Sequence, residues 1–147
     1  MNQNSVEKAA QLFEAGYNCS QSVLAAHANE LGLPEDLALR LATPFGGGMG
    51  RRGEVCGAVS GALMVLGLKA GNTDPQDKAA KERAYALACE FQERFQARHG
   101  AILCRELLGY DIGSPEALAL ARAEGRFTKR CPNFVRDAAA ILDEMLV

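Results

Sequence analysis

The chain has 147 residues, enough to bury a core of its own without covalent staples. A composition of 48% hydrophobic and 23% charged residues excludes a disordered or fibrous protein. Sixteen Lys and Arg against eighteen Asp and Glu leave a formal charge of −2, so no basic excess points to nucleic acid, and no block of like charge forms a tail. In chain order, Val6, Ala9, Ala10 and Phe13 recur at helical spacing, and Gly16 ends that helix. Asn18 is an N-cap for a second helix to about Leu31, with Gly32 and Pro34 beyond it. A short helix over Glu35 to Ala42 stops at Pro44.

Phe45 to Gly53 holds five glycines and cannot be regular helix, because each glycine costs backbone entropy there. An apolar helix then runs from Val55 to about Lys69, stopped by Gly71. Asp74 and Pro75 are expected to cap and open a long helix ending near Gly100, with Ala80, Ala84, Leu87, Phe91 and Phe95 on one stripe. Short helices follow over Ala101 to Leu108 and, capped by Ser114 and Pro115, over Glu116 to Ala123. Cys131 and Pro132 are expected to open the last helix, whose apolar face is Phe134, Val135, Ala138, Ile141, Leu142 and Met145. No strand-like alternation, internal repeat or linker is present. The expected fold is all-α, a single domain over residues 1–147 built as a bundle of about six to seven helices.

Met1 to Gln11 is polar and lacks the apolar centre of a secretion signal. The longest apolar stretch, Val55 to Leu68, is interrupted by Gly57, Ser60, Gly61 and Gly67 and is too short to cross a bilayer. The protein is therefore expected in the cytoplasm, where thiols stay mostly reduced. Five cysteines in that setting read as small packing residues, metal ligands or redox groups rather than a disulfide framework.

Their placement selects among them. Cys19 follows the cap Asn18, Cys56 falls in the first turn of the helix leaving the glycine loop, and Cys131 falls at an N-cap. Cys104 lies about one turn into its helix. Free N–H groups and the positive end of the helix dipole favour a thiolate there, so these thiols are expected to be acidic. Cys89 sits mid-helix off the apolar stripe and reads as a plain packing residue. No Cys-x-x-Cys pair signals a thioredoxin-like motif or a zinc ribbon, so any meeting of the four comes from folding.

Gly46, Gly47 and Gly48, followed by Arg51 and Arg52, read equally as an anion or cofactor cradle and as a tight connection that lets backbone approach Cys56. No Gly-Lys-Ser/Thr follows, so the loop is not a P-loop. Gly57 and Gly61, one turn apart, read as a close-packing face. His27 and His99, the two histidines, have no nucleophile partner visible in sequence. Glu54 reads as a cap for the helix of Cys56 rather than a proton shuttle.

Four features stand in order: Gly16-Tyr17-Asn18-Cys19-Ser20-Gln21-Ser22-Val23-Leu24, then Phe45-Gly46-Gly47-Gly48-Met49-Gly50, then Cys56-Gly57-Ala58-Val59-Ser60-Gly61, then Cys104-Arg105-Glu106-Leu107-Leu108-Gly109 with Cys131 downstream. Together they resemble the C_GCAxxG_C_C family, whose members are described as redox-active on account of four cysteines and a CGAxxG motif. The resemblance implies that Cys19, Cys56, Cys104 and Cys131 form the functional set and leaves Cys89 out. Family members are often encoded near transporter genes, and similar domains accompany haem and iron–sulfur components in larger redox proteins. Neither fact names a substrate or a cofactor.

Three functions follow. The first is dithiol–disulfide exchange, as in a thiol oxidoreductase, with Cys56 as nucleophile favoured by Arg51 or Arg52 and Cys19, Cys104 or Cys131 resolving it. The second is a metal or iron–sulfur site on the four thiolates, ranked lower because no local Cys pair is present. The third is a non-enzymatic module binding a small anion at the glycine loop. Partners are a redox protein or small molecule, and glycine-rich helix faces point to a homodimer.

Overall fold

The computed structural model describes residues 4–146. Among the described residues eight α-helices account for the fold, one more than the upper end of the sequence expectation. They are α1 (Asn4–Glu14), α2 (Cys19–Ala28), α3 (Glu35–Ala42), α4 (Gly57–Ala70), α5 (Lys78–His99), α6 (Cys104–Leu108), α7 (Pro115–Ala123) and α8 (Arg126–Met145). Among the described residues there is no strand, only an isolated antiparallel bridge between Val55 and Leu103. No described helix is long and apolar enough to cross a membrane.

Two helices carry no polar face. In α2 every residue from Ser22 to Ala28 is buried, and in α4 every residue from Gly57 to Ala62. A helix of this kind must be surrounded by others. Accordingly α2 packs on α1, α3, α4 and α8, and α4 packs on α2, α5 and α8. The amphipathic helices supply the rest of the core: Phe91 and Phe95 from α5, and Val135, Ile141 and Leu142 from α8. Phe95 packs against Phe91, Phe134 and His99, with ring centroids 6.2, 6.1 and 4.7 Å away.

The closest approach in the core is between α2 and α4. A Cβ on Gly61 would stand 2.7 Å from the Ser20 carbonyl oxygen, and one on Gly57 would stand 3.0 Å from the Ser20 amide nitrogen and 3.3 Å from Cys19 Cβ. Both glycines of the CGAxxG motif therefore serve packing, and they cross the two helix N-termini over Ser20. Asn18 fixes the start of α2 through a capping box with Gln21. The same two side chains reach across to α3: Asn18 Nδ2 donates to the Thr43 carbonyl at 3.0 Å, and Gln21 Nε2 to the Leu39 carbonyl at 2.9 Å.

Several boundaries differ from the sequence expectation. Asp77, not Asp74, caps α5, its side chain accepting from the Ala80 amide. Asp74 instead accepts from the Gln76 amide across Pro75, a local turn that precedes the helix. The last helix begins at Gly125, which supplies a left-handed cap, and runs through Cys131 and Pro132. Pro132 removes the bond to the Thr128 carbonyl without ending the helix, because the apolar face on both sides stays buried. The last turn of α2 tightens to a 3-10 turn over Asn29–Leu31 before Gly32.

The α2–α4 crossing makes a stability prediction. Gly61→Ala places a methyl against fixed backbone and should cost about 1–3 kcal/mol by overpacking. Thermal unfolding followed by circular dichroism should show a melting temperature lower by about 2–4 °C for each kcal/mol. Gly67→Ala, with nothing within 4 Å, is the control and should not lower it.

Candidate thiol cavity

Cys19, Cys56, Cys104 and Cys131 line one cavity of about 540 Å³, together with Gly46, Gly47, Gly48, Arg51 and Arg122. Cys89 is exposed on α5, outside the cavity, and is not the packing residue expected. The four sulfurs are free thiols.

Each cysteine arrives by a different device. Cys19 is the first residue of α2, behind the Asn18 cap. Cys56 is itself the N-cap of α4, one step earlier than its expected place in the first turn. Cys104 is the first residue of α6, not one turn in. Cys131 lies inside α8, so the dipole argument does not apply to it.

The Val55–Leu103 bridge ties two of these arrivals together. Cys56 N–H donates to the Ile102 carbonyl at 2.8 Å, and Cys104 N–H donates to the Glu54 carbonyl at 2.7 Å. This is one widely spaced ring of an antiparallel ladder, and it fixes the backbone at both cysteines. Glu54 does not cap α4. Its main chain serves the bridge, and its carboxylate stands 3.6 Å from Arg105 Nη1.

The glycine loop closes the opposite wall. Five consecutive residues, Gly47 to Arg51, have φ of +67° to +68°. Gly46–Met49 is therefore a left-handed turn rather than a helical segment, held by Gly50 N–H on the Gly46 carbonyl at 2.9 Å. Left-handed backbone is costly for any residue with a Cβ, which is why glycine fills most of it. At Gly48 there is also no room: a Cβ would meet Cys104 Cβ at 2.7 Å and the Glu54 carbonyl oxygen at 2.6 Å. Arg51 folds its stem over Gly47, where a Cβ would lie 2.8 Å from Arg51 Cγ. Arg52 does not line the thiol cavity. It faces a neighbouring cleft with Arg51, Arg105 and Asp111.

The electrostatics correct the expectation of acidic thiols at Cys19 and Cys104. Cys56 is shifted down. Hydrogen bonding from the Cys19 side chain is the main cause, opposed by burial and assisted by the Ala58 and Val59 amides at the start of α4. No conventional side-chain cap bond forms there, so the amides act as fixed dipoles toward the sulfur. Neither Arg51 nor Arg52 contributes to the lowering. Cys19 is pushed well up, by hydrogen bonding with Cys131 and Cys56, then by burial and by the repulsion of their charges. Cys104 is pushed up to about 12 by burial first and then by Cys56 and Cys131. A helix end lowers a thiol only where the sulfur also has a donor. Desolvation and neighbouring sulfurs win at Cys19 and Cys104.

Both histidines stand away from the cavity. His27 Nε2 lies 3.4 Å from Asp143 Oδ1, and His99 Nε2 lies 2.8 Å from Asp137 Oδ2, so each ties a neighbouring helix to α8. Among the described residues no group of three or more His, Cys, Asp or Glu side chains is placed to hold a metal ion. Arg122, at the end of α7, is the cavity residue that sequence reasoning missed. Nothing in its spacing marks it, because it reaches the cavity only through the packing of α7 on α8.

A thiol whose pKa is higher folded than unfolded supports the fold below the unfolded value, about 8.5. That support is lost as pH rises toward the folded value, near 12 for Cys104. Stability in oxygen-free buffer should therefore fall between about pH 9 and 12. Cys104→Ala should flatten that fall, read as a smaller drop in urea midpoint across the interval.

A family model described as "Putative redox-active protein (C_GCAxxG_C_C)" matches residues 17–145, which include all four cavity cysteines. No curated protein and no solved structure matches the chain. The chain belongs to the C_GCAxxG_C_C family.

Proposed function

We propose that the protein performs dithiol–disulfide exchange, with Cys56 as the attacking thiolate and Cys19 as the resolving thiol. The observation that carries this reading is the asymmetry between the two. The Cys19 thiol stabilises the Cys56 anion and so lowers Cys56, while Cys131 first and Cys56 second hold Cys19 up. One sulfur thus ionises more readily than an ordinary thiol, while its neighbour holds a proton until the first bond has formed.

The exchange balances on these two residues. The Cys56 thiolate attacks one sulfur of a disulfide RSSR, forming a Cys56–SR bond as the S–S bond breaks and RS⁻ leaves. Once Cys56 is no longer an anion, its share in holding Cys19 up is gone, and the Cys19 proton passes to the departing thiolate. The Cys19 thiolate then attacks the Cys56 sulfur, forming the Cys19–Cys56 disulfide and releasing the second RS⁻. The protein dithiol is oxidised by two electrons and RSSR is reduced to RSH and RS⁻. Cys131, also in hydrogen-bonding relation to Cys19, faces the same sulfur from α8.

Oxidation of the reduced protein with a small disulfide, followed by peptide mass mapping, should give the Cys19–Cys56 pair first. Cys56→Ser should abolish the exchange, whereas Cys89→Ser should leave its rate unchanged; equal loss from both substitutions overturns the assignment. The rate of Cys56 alkylation against pH should level off below the pH typical of a free thiol. Cys19→Ala removes the main cause of the lowering, so the same profile should move to higher pH. An unmoved profile would remove the basis for pairing these two residues.

A further inference from the structure

The cavity lining has a charge imbalance that the thiol chemistry does not require. Its two charged side chains are Arg51 and Arg122, and no Asp or Glu lines it. The chain as a whole is slightly acidic, at −2. The other surface arginines that the structure pairs show the contrast. Arg94 and Arg98 hold Glu144, Arg136 holds Glu7, and Arg105 faces Glu54. Among the described residues, no side-chain hydrogen bond or ion pair occupies the guanidinium of Arg51 or of Arg122. These two cations come from separate parts of the fold, one from the left-handed turn and one from the last turn of α7.

Two unpaired guanidinium groups beside buried thiols suit an anion that also carries a disulfide. We propose that the substrate is a small disulfide bearing carboxylates, held by Arg51 and Arg122 while Cys56 attacks its sulfur. This rests on the exchange reading above and adds to it the class of substrate. Cavity size agrees: 540 Å³ falls within the range that encloses a small organic molecule. Burial agrees as well. Cys56 is only 3% exposed, so its partner must enter the cavity, which a short flexible disulfide does more readily than a disulfide fixed in a folded protein.

The test compares three disulfides at equal concentration with the fully reduced protein: oxidised glutathione as the anionic probe, 2-hydroxyethyl disulfide as the neutral one and cystamine as the cationic one. The readout is the rate of Cys19–Cys56 disulfide formation. The anionic probe should react at least about tenfold faster than expected from its rate with free cysteine, relative to the neutral probe, and this advantage should shrink with added salt. Arg122→Gln should remove most of the advantage, Arg122→Lys should restore part of it, and Arg122→Gln should slow the neutral probe far less than the anionic one. Arg51→Gln should act in the same direction.

A wild-type protein that shows no preference among the probes overturns the substrate class while the exchange reading stands. Loss of reaction with the neutral probe in Arg122→Gln also overturns it, because the residue would then be structural. If none of the probes oxidises Cys56 in the wild-type protein, the exchange reading fails and this inference fails with it.

Discussion

The close crossing of α2 and α4 over Ser20 is the constraint on which the rest depends. Two helices without polar faces can bury each other only if backbone meets backbone, and Gly57 and Gly61 permit that. The crossing point lies at the N-termini of both helices, so Cys19 and Cys56 are neighbours for the same reason that the core is closed. Chemistry and packing share one pair of glycines. A larger residue at either position would separate the helices and the thiols together.

Around that crossing the other two cysteines are delivered independently. The Val55–Leu103 bridge holds Cys104 beside the start of α4, and α8 carries Cys131 in from a helix that spans the whole bundle. Four sulfurs in one partly dry chamber cannot all carry charge, since each anion opposes the next. The pattern observed, one thiol lowered and two raised, is the outcome of that competition. The donor set around each sulfur decides the order, and helix position alone does not.

Much of this was legible in the sequence, and the misses have physical causes. Asn18, Gly32 and Pro34 are strong punctuation, and α2 and α3 fall where they say. The membership of the four-cysteine set was legible from cap positions and motif order, yet Cys131 joined it for a reason that does not hold, because Pro132 sits within a helix that Gly125 begins. The thiol acidities were not legible, since they depend on which sulfur faces which, a product of tertiary packing. Arg122 was invisible for the same reason. The bridge at Val55 has too few residues to show any alternation.

The left-handed turn carries a further consequence for residue 51. Along Gly47 to Arg51 the backbone favours glycine throughout, and a side chain in that conformation costs on the order of 1–2 kcal/mol. Arg51 occupies it nonetheless, and it lines both the thiol cavity and the neighbouring cleft. Conformational ease at this position argues for the smallest residue, while the anionic substrate proposed above argues for a cation. On that proposal the fold and the ligand pull position 51 in opposite directions, and an arginine there trades backbone ease for a bound anion.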